Sequence, residues 1–211
     1  NIDRIYIEQS GYLENYLNHP AFQPYADKIA ELVQPANIGI YDNFLYKVIT
    51  REIEGISQAT IEIIGADRSI SSITIPIIAI EGKRVTSIGA YAFSYCYNLS
   101  NVEISQQSPL DRIMKGAFEN TLWQTNPSHN YIRDGLIIIH GKLFSCLEDR
   151  AEYTIPYDVI SIAEYCFADM NKLKKVTFAT DNHGNTHITE IKANAFKNCV
   201  NLDEITIPFT V

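Results

Sequence analysis

The apolar positions of this chain follow a pattern that recurs. Between 85 and 104 it reads Val85-x-x-Ile88-x-x-x-Ala92-Phe93-x-x-Cys96-x-x-Leu99-x-x-Val102-x-Ile104. The pattern returns as Val159-x-x-Ile162-x-x-x-Cys166-Phe167-x-x-Met170-x-x-Leu173-x-x-Val176-x-Phe178. It returns again as Ile188-x-x-Ile191-x-x-x-Ala195-Phe196-x-x-Cys199-x-x-Leu202-x-x-Ile205-x-Ile207. A period in the twenties predicts a solenoid, because a unit that short buries its apolar face only against its neighbours. Each unit closes on an alternating segment, which predicts a strand with Val102 and Ile104 toward the core and Asn101 and Glu103 toward solvent. Units repeating in one direction pair their strands in parallel. The Ala-Phe pair lies in the returning limb, so Phe93, Phe118, Phe167 and Phe196 are expected to stack inside the coil. The residue before each Phe is Ala or Cys because a small side chain must clear the adjacent coil. Truncating one Phe to Ala is expected to cost about 3–5 kcal/mol.

The remaining segments differ. Residues 1 to about 40 carry no repeat; Tyr12-Leu13-x-x-Tyr16-Leu17 and Ala26-x-x-Ile29-Ala30-x-x-Val33 have helical spacing and are separated by Pro20 and Pro24, predicting two short helices. Residues 41–69 hold two β-rich runs, Leu45–Ile49 and Thr60–Ile64, expected to form a hairpin that caps the solenoid, whose end unit otherwise exposes its core. Residues 70–211 are the solenoid. Ile70-x-x-Ile73-x-Ile75-Pro76 is its first half-unit, and full repeats open at 85, 110, 159 and 188. The repeat opening at Leu110 has Thr121 where Cys or Met stands elsewhere, and its strand half is replaced by an insertion at about 122–150. There Leu136–Ile139, His140-Gly141 and Lys142–Phe144 predict a hairpin. The wide interval from 110 to 159 is close to two periods, which points to a degenerate unit within it. The fold class expected is a repeat solenoid, mainly β with short helical turns, with a parallel strand ladder, an N-terminal β cap and short N-terminal helices.

Composition narrows the function. Among 211 residues 46% are hydrophobic and 20% charged, a folded chain, and the net charge of −8 has no Lys/Arg cluster to set against it, so nucleic acid is not an expected partner. No apolar run is long enough to span a membrane. The chain starts at Asn1 rather than Met, which reads as cleavage or trimming from a longer parent, so the missing leader carries little information. Cys96, Cys146, Cys166 and Cys199 form no Cys-x-x-Cys pair and are expected to be buried thiols.

The string Val85-Thr86-Ser87-Ile88-Gly89-x-Tyr91-Ala92-Phe93-x-x-Cys96-x-x-Leu99, with Ile205-Thr206-Ile207-Pro208 closing a unit, resembles the BspA-like leucine-rich repeats. These are repeats of roughly 23 residues found in surface proteins of Treponema and Bacteroidetes. The resemblance covers about residues 70 to 211. It implies a secreted or outer-surface bacterial protein, often lipid-anchored upstream, with adhesion to host proteins known for a few members. It brings no catalytic residues and no cofactor.

Two surfaces are candidates for a ligand. The outward strand positions are Ser72, Thr74, Asn101, Glu103, Glu152, Thr154, Lys175, Thr177, Glu204 and Thr206, a polar row that suits either a plain exposed strand or a platform for a protein or glycan. The insertion offers Trp123, His129, Tyr131 and His140, since loops on a rigid scaffold often carry function. Enzyme signals fail. His183 and His187 have a metal-ligand spacing, but Gly184, Asn185 and Thr186 between them argue for a loop. There is no Gly-x-Ser-x-Gly, no phosphate-cradling Gly loop and no Cys/His pair at a supported spacing. The function expected is non-catalytic: cell-surface binding or adhesion through the strand face or the insertion, with a structural spacer or assembly scaffold as the alternative.

Overall fold

The structure is a computed structural model that describes residues 5–7, 29–31, 38–41, 44–53, 55–126 and 131–211. The chain divides into two compact units, residues 1–110 with 116–126, and residues 111–115 with 127–211.

In the first unit, β1 (Ile5–Ile7) pairs in parallel with β2 (Ile29–Glu31). The helix expected over 26–33 is therefore corrected to strand at 29–31. Pairing with β1 satisfies the backbone there, and a short stretch of helical spacing is too weak a signal to resist it. The helix expected over Tyr12–Leu17 lies outside the described residues. β3 (Ile38–Tyr41), β4 (Phe44–Ile53) and β5 (Ile56–Ala66) form an antiparallel meander that contains the hairpin predicted over 45–64.

The repeat takes over from β5. β6 (Ser72–Ile75) is followed by β7 (Val85–Ile88), which pairs in parallel with β5 so that Ile61 faces Val85 and Ile63 faces Ile88. β8 (Asn101–Ile104) pairs in parallel with β6, residue for residue from Ser72 and Asn101 to Ile75 and Ile104. Along β6 and β8 exposed and buried residues alternate, with Ile73, Ile75, Val102 and Ile104 inward as the pattern predicts. All four residues of β7 are buried, and its polar pair is satisfied: Thr86 donates to Thr60 Oγ1 at 3.0 Å and Ser87 to Glu62 Oε2 at 3.1 Å. In the limb after β7, Phe93 N donates to Ala117 O at 2.8 Å, and Ala117 is buried. The Phe93 and Phe118 rings stack at 5.0 Å and 5°. The Cys/Met position is Thr121 here because a helical turn, α1 (Leu122–Thr125), begins behind it. Thr121 caps that turn by accepting from Gln124 N at 3.2 Å while its hydroxyl donates to Phe118 O at 2.7 Å.

The second unit comprises β9 (Arg112–Ile113), β10 (Ile132–Arg133), β11 (Leu136–Ile139), β12 (Lys142–Cys146), β13 (Glu152–Ile155), β14 (Ser161–Ile162), β15 (Lys175–Phe178), β16 (Glu190–Ile191) and β17 (Glu204–Ile205). β10, β11 and β12 are antiparallel neighbours, and the predicted hairpin turns at His140 (φ 51°) and Gly141 (φ 79°). Positive φ at both central residues is the mirror-image turn whose twist matches paired strands. β12 then pairs in parallel with β14, and β14 with β16, setting Leu143, Ile162 and Ile191 in one row. The degenerate unit between 110 and 159 is thus the hairpin's second strand joined to β13. β13, β15 and β17 form the other parallel ladder. Leu143, Ile155, Ile162, Phe167, Leu173 and Val176 fill the core between the ladders, and Phe167 stacks on Phe196 at 5.0 Å and 9°.

One backbone feature recurs at every repeat. The residue before the small-residue–Phe pair has positive φ: 59° at Tyr91, Tyr165 and Asn194, and 71° at Gly116. For an L residue that conformation costs about 1–2 kcal/mol. Its recurrence with Tyr and Asn as well as Gly shows that the sharp turn, not the residue type, is what the coil requires. The four cysteines are free thiols; Cys96, Cys146 and Cys166 are buried and Cys199 partly so.

Candidate functional site

The strand-face candidates project from the parallel ladders as expected, and they are occupied with one another. In the first unit Thr74 donates to Glu103 Oε2 at 3.2 Å, and Asn101 Nδ2 donates to Ser72 Oγ at 3.1 Å. In the second, Thr154 and Thr177 share a hydrogen bond of 3.0 Å, and Lys175 Nζ lies 2.8 Å from Glu204 Oε1. The Glu204 hydrogen bond and charge raise the Lys175 pKa above the usual lysine value. Glu152 is exposed on the same ladder, and Thr206 is exposed just past the end of β17. Register produces these pairs: in a parallel ladder like positions stand side by side, and Thr beside Thr or Lys beside Glu is a favourable neighbour.

The insertion behaves differently, and it splits the aromatic candidates. Trp123 is 1% exposed, its ring packed against Phe118 at a centroid distance of 4.4 Å. It is therefore corrected from a surface candidate to a core residue. The turn α1 that follows Thr121 swings position 123 inward, where a large apolar ring is worth more buried than exposed. His129 lies outside the described residues. Tyr131 and His140 do come together, with ring centroids 6.2 Å apart and planes at 75°. They line a groove of about 510 Å³ with Arg133, Ile138, Gly141 and Asp158. That volume lies within the range of ligand sites, roughly 300–1,000 Å³.

Short-range structure places each wall. Tyr131 O accepts from Ile138 N at 2.7 Å, which fixes the approach of β10 to β11. The turn at His140-Gly141 puts His140 at the tip of the hairpin, and Gly141 O accepts from Ile160 N at 2.7 Å, bringing the segment that carries Asp158 alongside. Arg133 Nη1 donates to Asp158 Oδ1 at 2.9 Å, with the side chains 37% and 58% exposed. That hydrogen bond, against a smaller opposing effect of burial, holds the Asp158 carboxyl below the usual carboxylate range. Beside Asp158, Tyr157 Oη lies 2.7 Å from His187 Nε2, with the two rings 4.1 Å apart. Two guanidinium Nε atoms among the described residues, of Arg112 and Arg133, are enclosed without a hydrogen-bond partner, a condition that costs about 1–3 kcal/mol. Among the described residues no group of three His, Cys, Asp or Glu is placed to hold a metal ion, and His187 is engaged with Tyr157.

Arg133 and Asp158 were missed by the sequence reasoning. Asp134-Gly135 and His140-Gly141 are turn signals that place 131–133 beside 136–140, so Arg133 was within reach of a pattern argument. Nothing local ties residue 133 to residue 158; that contact depends on the pairing of β12 with β14.

Among solved structures, a leucine-rich repeat protein from Bacteroides ovatus is 20% identical over 82% of this chain and 54% of its own, with a TM-score of 0.36. The Treponema pallidum leucine-rich repeat protein is 18% identical over 80% of this chain and 68% of its own, with a TM-score of 0.30. A leucine-rich cell surface protein from Faecalibacterium prausnitzii is 17% identical over 81% of this chain and 54% of its own, with a TM-score of 0.32. The chain spans about half the length of the Bacteroides and Faecalibacterium proteins. No curated protein matches it in sequence. No helix among the described residues is long and apolar enough to cross a membrane. The model of the BspA type leucine-rich repeat region matches six copies, over residues 25–145 and 86–211. With that repeat matched from residue 25 to the last residue, the chain belongs to the BspA-type leucine-rich-repeat family.

Proposed function

We propose that this chain is a non-catalytic binding module of a bacterial cell-surface protein, and that it engages a protein or glycan at the groove of the insertion. The observation that carries this reading is the convergence of Tyr131, His140, Arg133 and Asp158 on one concave surface. Ligand sites are typically concave, with a few polar groups set among aromatic and apolar ones. The surface location is supported by family membership and by the Faecalibacterium relative, which is described as a cell surface protein.

A second reading, an assembly scaffold without a small ligand, is favoured by the strand face. Its outward side chains pair with one another, as Thr154 with Thr177 and Lys175 with Glu204, and present a flat polar row. The experiment is a binding screen of the purified chain against immobilised host matrix proteins and polysaccharides. A saturable hit lost with Tyr131→Ala and kept with Thr154→Arg/Thr177→Arg supports the groove. The reverse pattern moves the site to the strand face. Absence of any hit favours the scaffold.

A further inference from the structure

We propose that the insertion groove takes an uncharged sugar ring presented on a neutral glycan, an inference that rests on the binding reading above and names its ligand class. A pyranose has an apolar C–H face and a rim of adjacent hydroxyls, each of which both donates and accepts. Its complement is an aromatic wall beside a donor and an acceptor held at fixed spacing. Tyr131 and His140 supply ring planes 75° apart. Arg133 and Asp158 supply the donor and the acceptor, locked together at 2.9 Å and both accessible to solvent. Their mutual contact engages Nη1 and Oδ1; with the Arg133 Nε enclosed, the other Nη donors and the second carboxylate oxygen are what the pair offers a ligand. Neighbouring hydroxyls of one sugar match that pair, one donating to the carboxylate and the next accepting from the guanidinium.

Charge selects against anionic ligands. The Arg133 and Asp158 charges cancel, and the Arg133 hydrogen bond holds the Asp158 carboxyl below the usual carboxylate range. The chain as a whole carries −8, which repels sulfated or uronic-acid polymers. A peptide, the other class of partner, is usually read by main-chain pairing or by an apolar anchor. Ile138 in the groove is 4% exposed, too enclosed to receive such an anchor. The walls are also tied to neighbouring backbone by the Tyr131–Ile138 and Gly141–Ile160 hydrogen bonds, both 2.7 Å. Preorganisation of this kind matters most for ligands whose individual contacts are weak.

The test is calorimetric titration of the whole chain with short fragments of mannan, β-glucan, galactan and xylan, and with oligogalacturonate and heparin fragments as acidic probes. The expected result is saturable binding of at least one neutral series. Tyr131→Ala and Asp158→Asn should each weaken it by at least about tenfold, and Thr154→Arg/Thr177→Arg should leave it unchanged. Thermal melts establish that each variant is folded. If Tyr131→Ala does not fold, His140→Asn removes the other ring while tolerating the positive φ. Preference for the acidic probes overturns the inference, as does failure of every neutral series at millimolar sugar. If no sugar binds but Tyr131→Ala abolishes capture of a matrix protein, the sugar class falls and the groove stands. If a neutral glycan binds and only the Thr154→Arg/Thr177→Arg variant loses it, both fall.

Discussion

The two units open with the same device built at two scales. In each, an antiparallel hairpin gives its second strand to a parallel ladder: β5 to β7 in the first unit, β12 to β14 in the second. In each, a Thr-Ile-Pro strand end follows, at Thr74-Ile75-Pro76 and at Thr154-Ile155-Pro156. The first hairpin has strands of 10 and 11 residues, and along β5 only Thr60, Ile61 and Ile63 are buried. The second has strands of 4 and 5 residues, and every residue but Lys142 is buried. Joining the ladder takes three paired residues of β5 and two of β12, and only in the long hairpin does the remainder stay largely outside the core. The long one extends a half-exposed sheet. The short one is enclosed, and what it leaves at the surface are its turn and the preceding strand, which are the walls of the groove.

The sharpest way to break this comparison is through the cores that both hairpins feed. Phe93 and Phe167 are each 0% exposed, so Phe93→Ala and Phe167→Ala are expected to lose about 3–5 kcal/mol each in urea unfolding. Phe196 is only partly buried, and Phe196→Ala should cost less than either. Equal losses at all three would show that burial does not rank them.

The turns come next. Gly55 (φ 75°) and Gly141 (φ 79°) both hold a conformation that costs an L residue about 1–2 kcal/mol. A Cβ at Gly55 meets nothing within 4 Å, whereas one at Gly141 lies 2.9 Å from Ile160 Cδ1. Gly141→Ala should therefore destabilise more than Gly55→Ala, and equal effects would mean that Ile160 yields freely.

Thiol reactivity sharpens the picture of the cores without changing stability. Burial, and after it the Asp67 charge, pushes the Cys96 thiol up to about 11, while burial and Cys146 push Cys166 well above its ordinary value. Burial pushes the Cys199 thiol up as well, so exposure sets the order: at pH 8 a neutral alkylating reagent should modify the part-exposed Cys199 first and reach the other three only through unfolding. Mass spectrometry of the labelled peptides reads the order.

The smallest effect belongs to the groove. Because the Asp158 pKa is depressed in the folded state, its contribution is fully present above the unfolded carboxylate pKa. It is lost only as pH falls through the folded value. For a pair this exposed the loss is at most about 1 kcal/mol. Asp158→Asn should therefore flatten the acid limb of the stability profile slightly and leave stability at neutral pH nearly unchanged. A large loss at neutral pH would make Asp158 a structural residue instead.

What the sequence determined by itself is whatever repetition enforces. Recurrence of Val-x-x-Ile, of the small-residue–Phe pair and of Leu-x-x-Val-x-Ile specifies parallel ladders, their inward and outward faces and, of the expected four-ring stack, the pairs Phe93–Phe118 and Phe167–Phe196. The same apolar positions must meet their own copies in the next coil, so a local pattern carries long-range information. The turn signal His140-Gly141 likewise specified the insertion hairpin. Tertiary structure alone decided the rest. Ile29–Glu31 became strand because a partner strand was available. Trp123 turned inward because Thr121 caps a helical turn behind Phe118. Arg133 met Asp158 because the hairpin's second strand joined the ladder, and no motif spans those two positions. Among the described residues the candidate site occurs once, so no internal copy betrayed it; it exists only where strands distant in sequence are brought side by side.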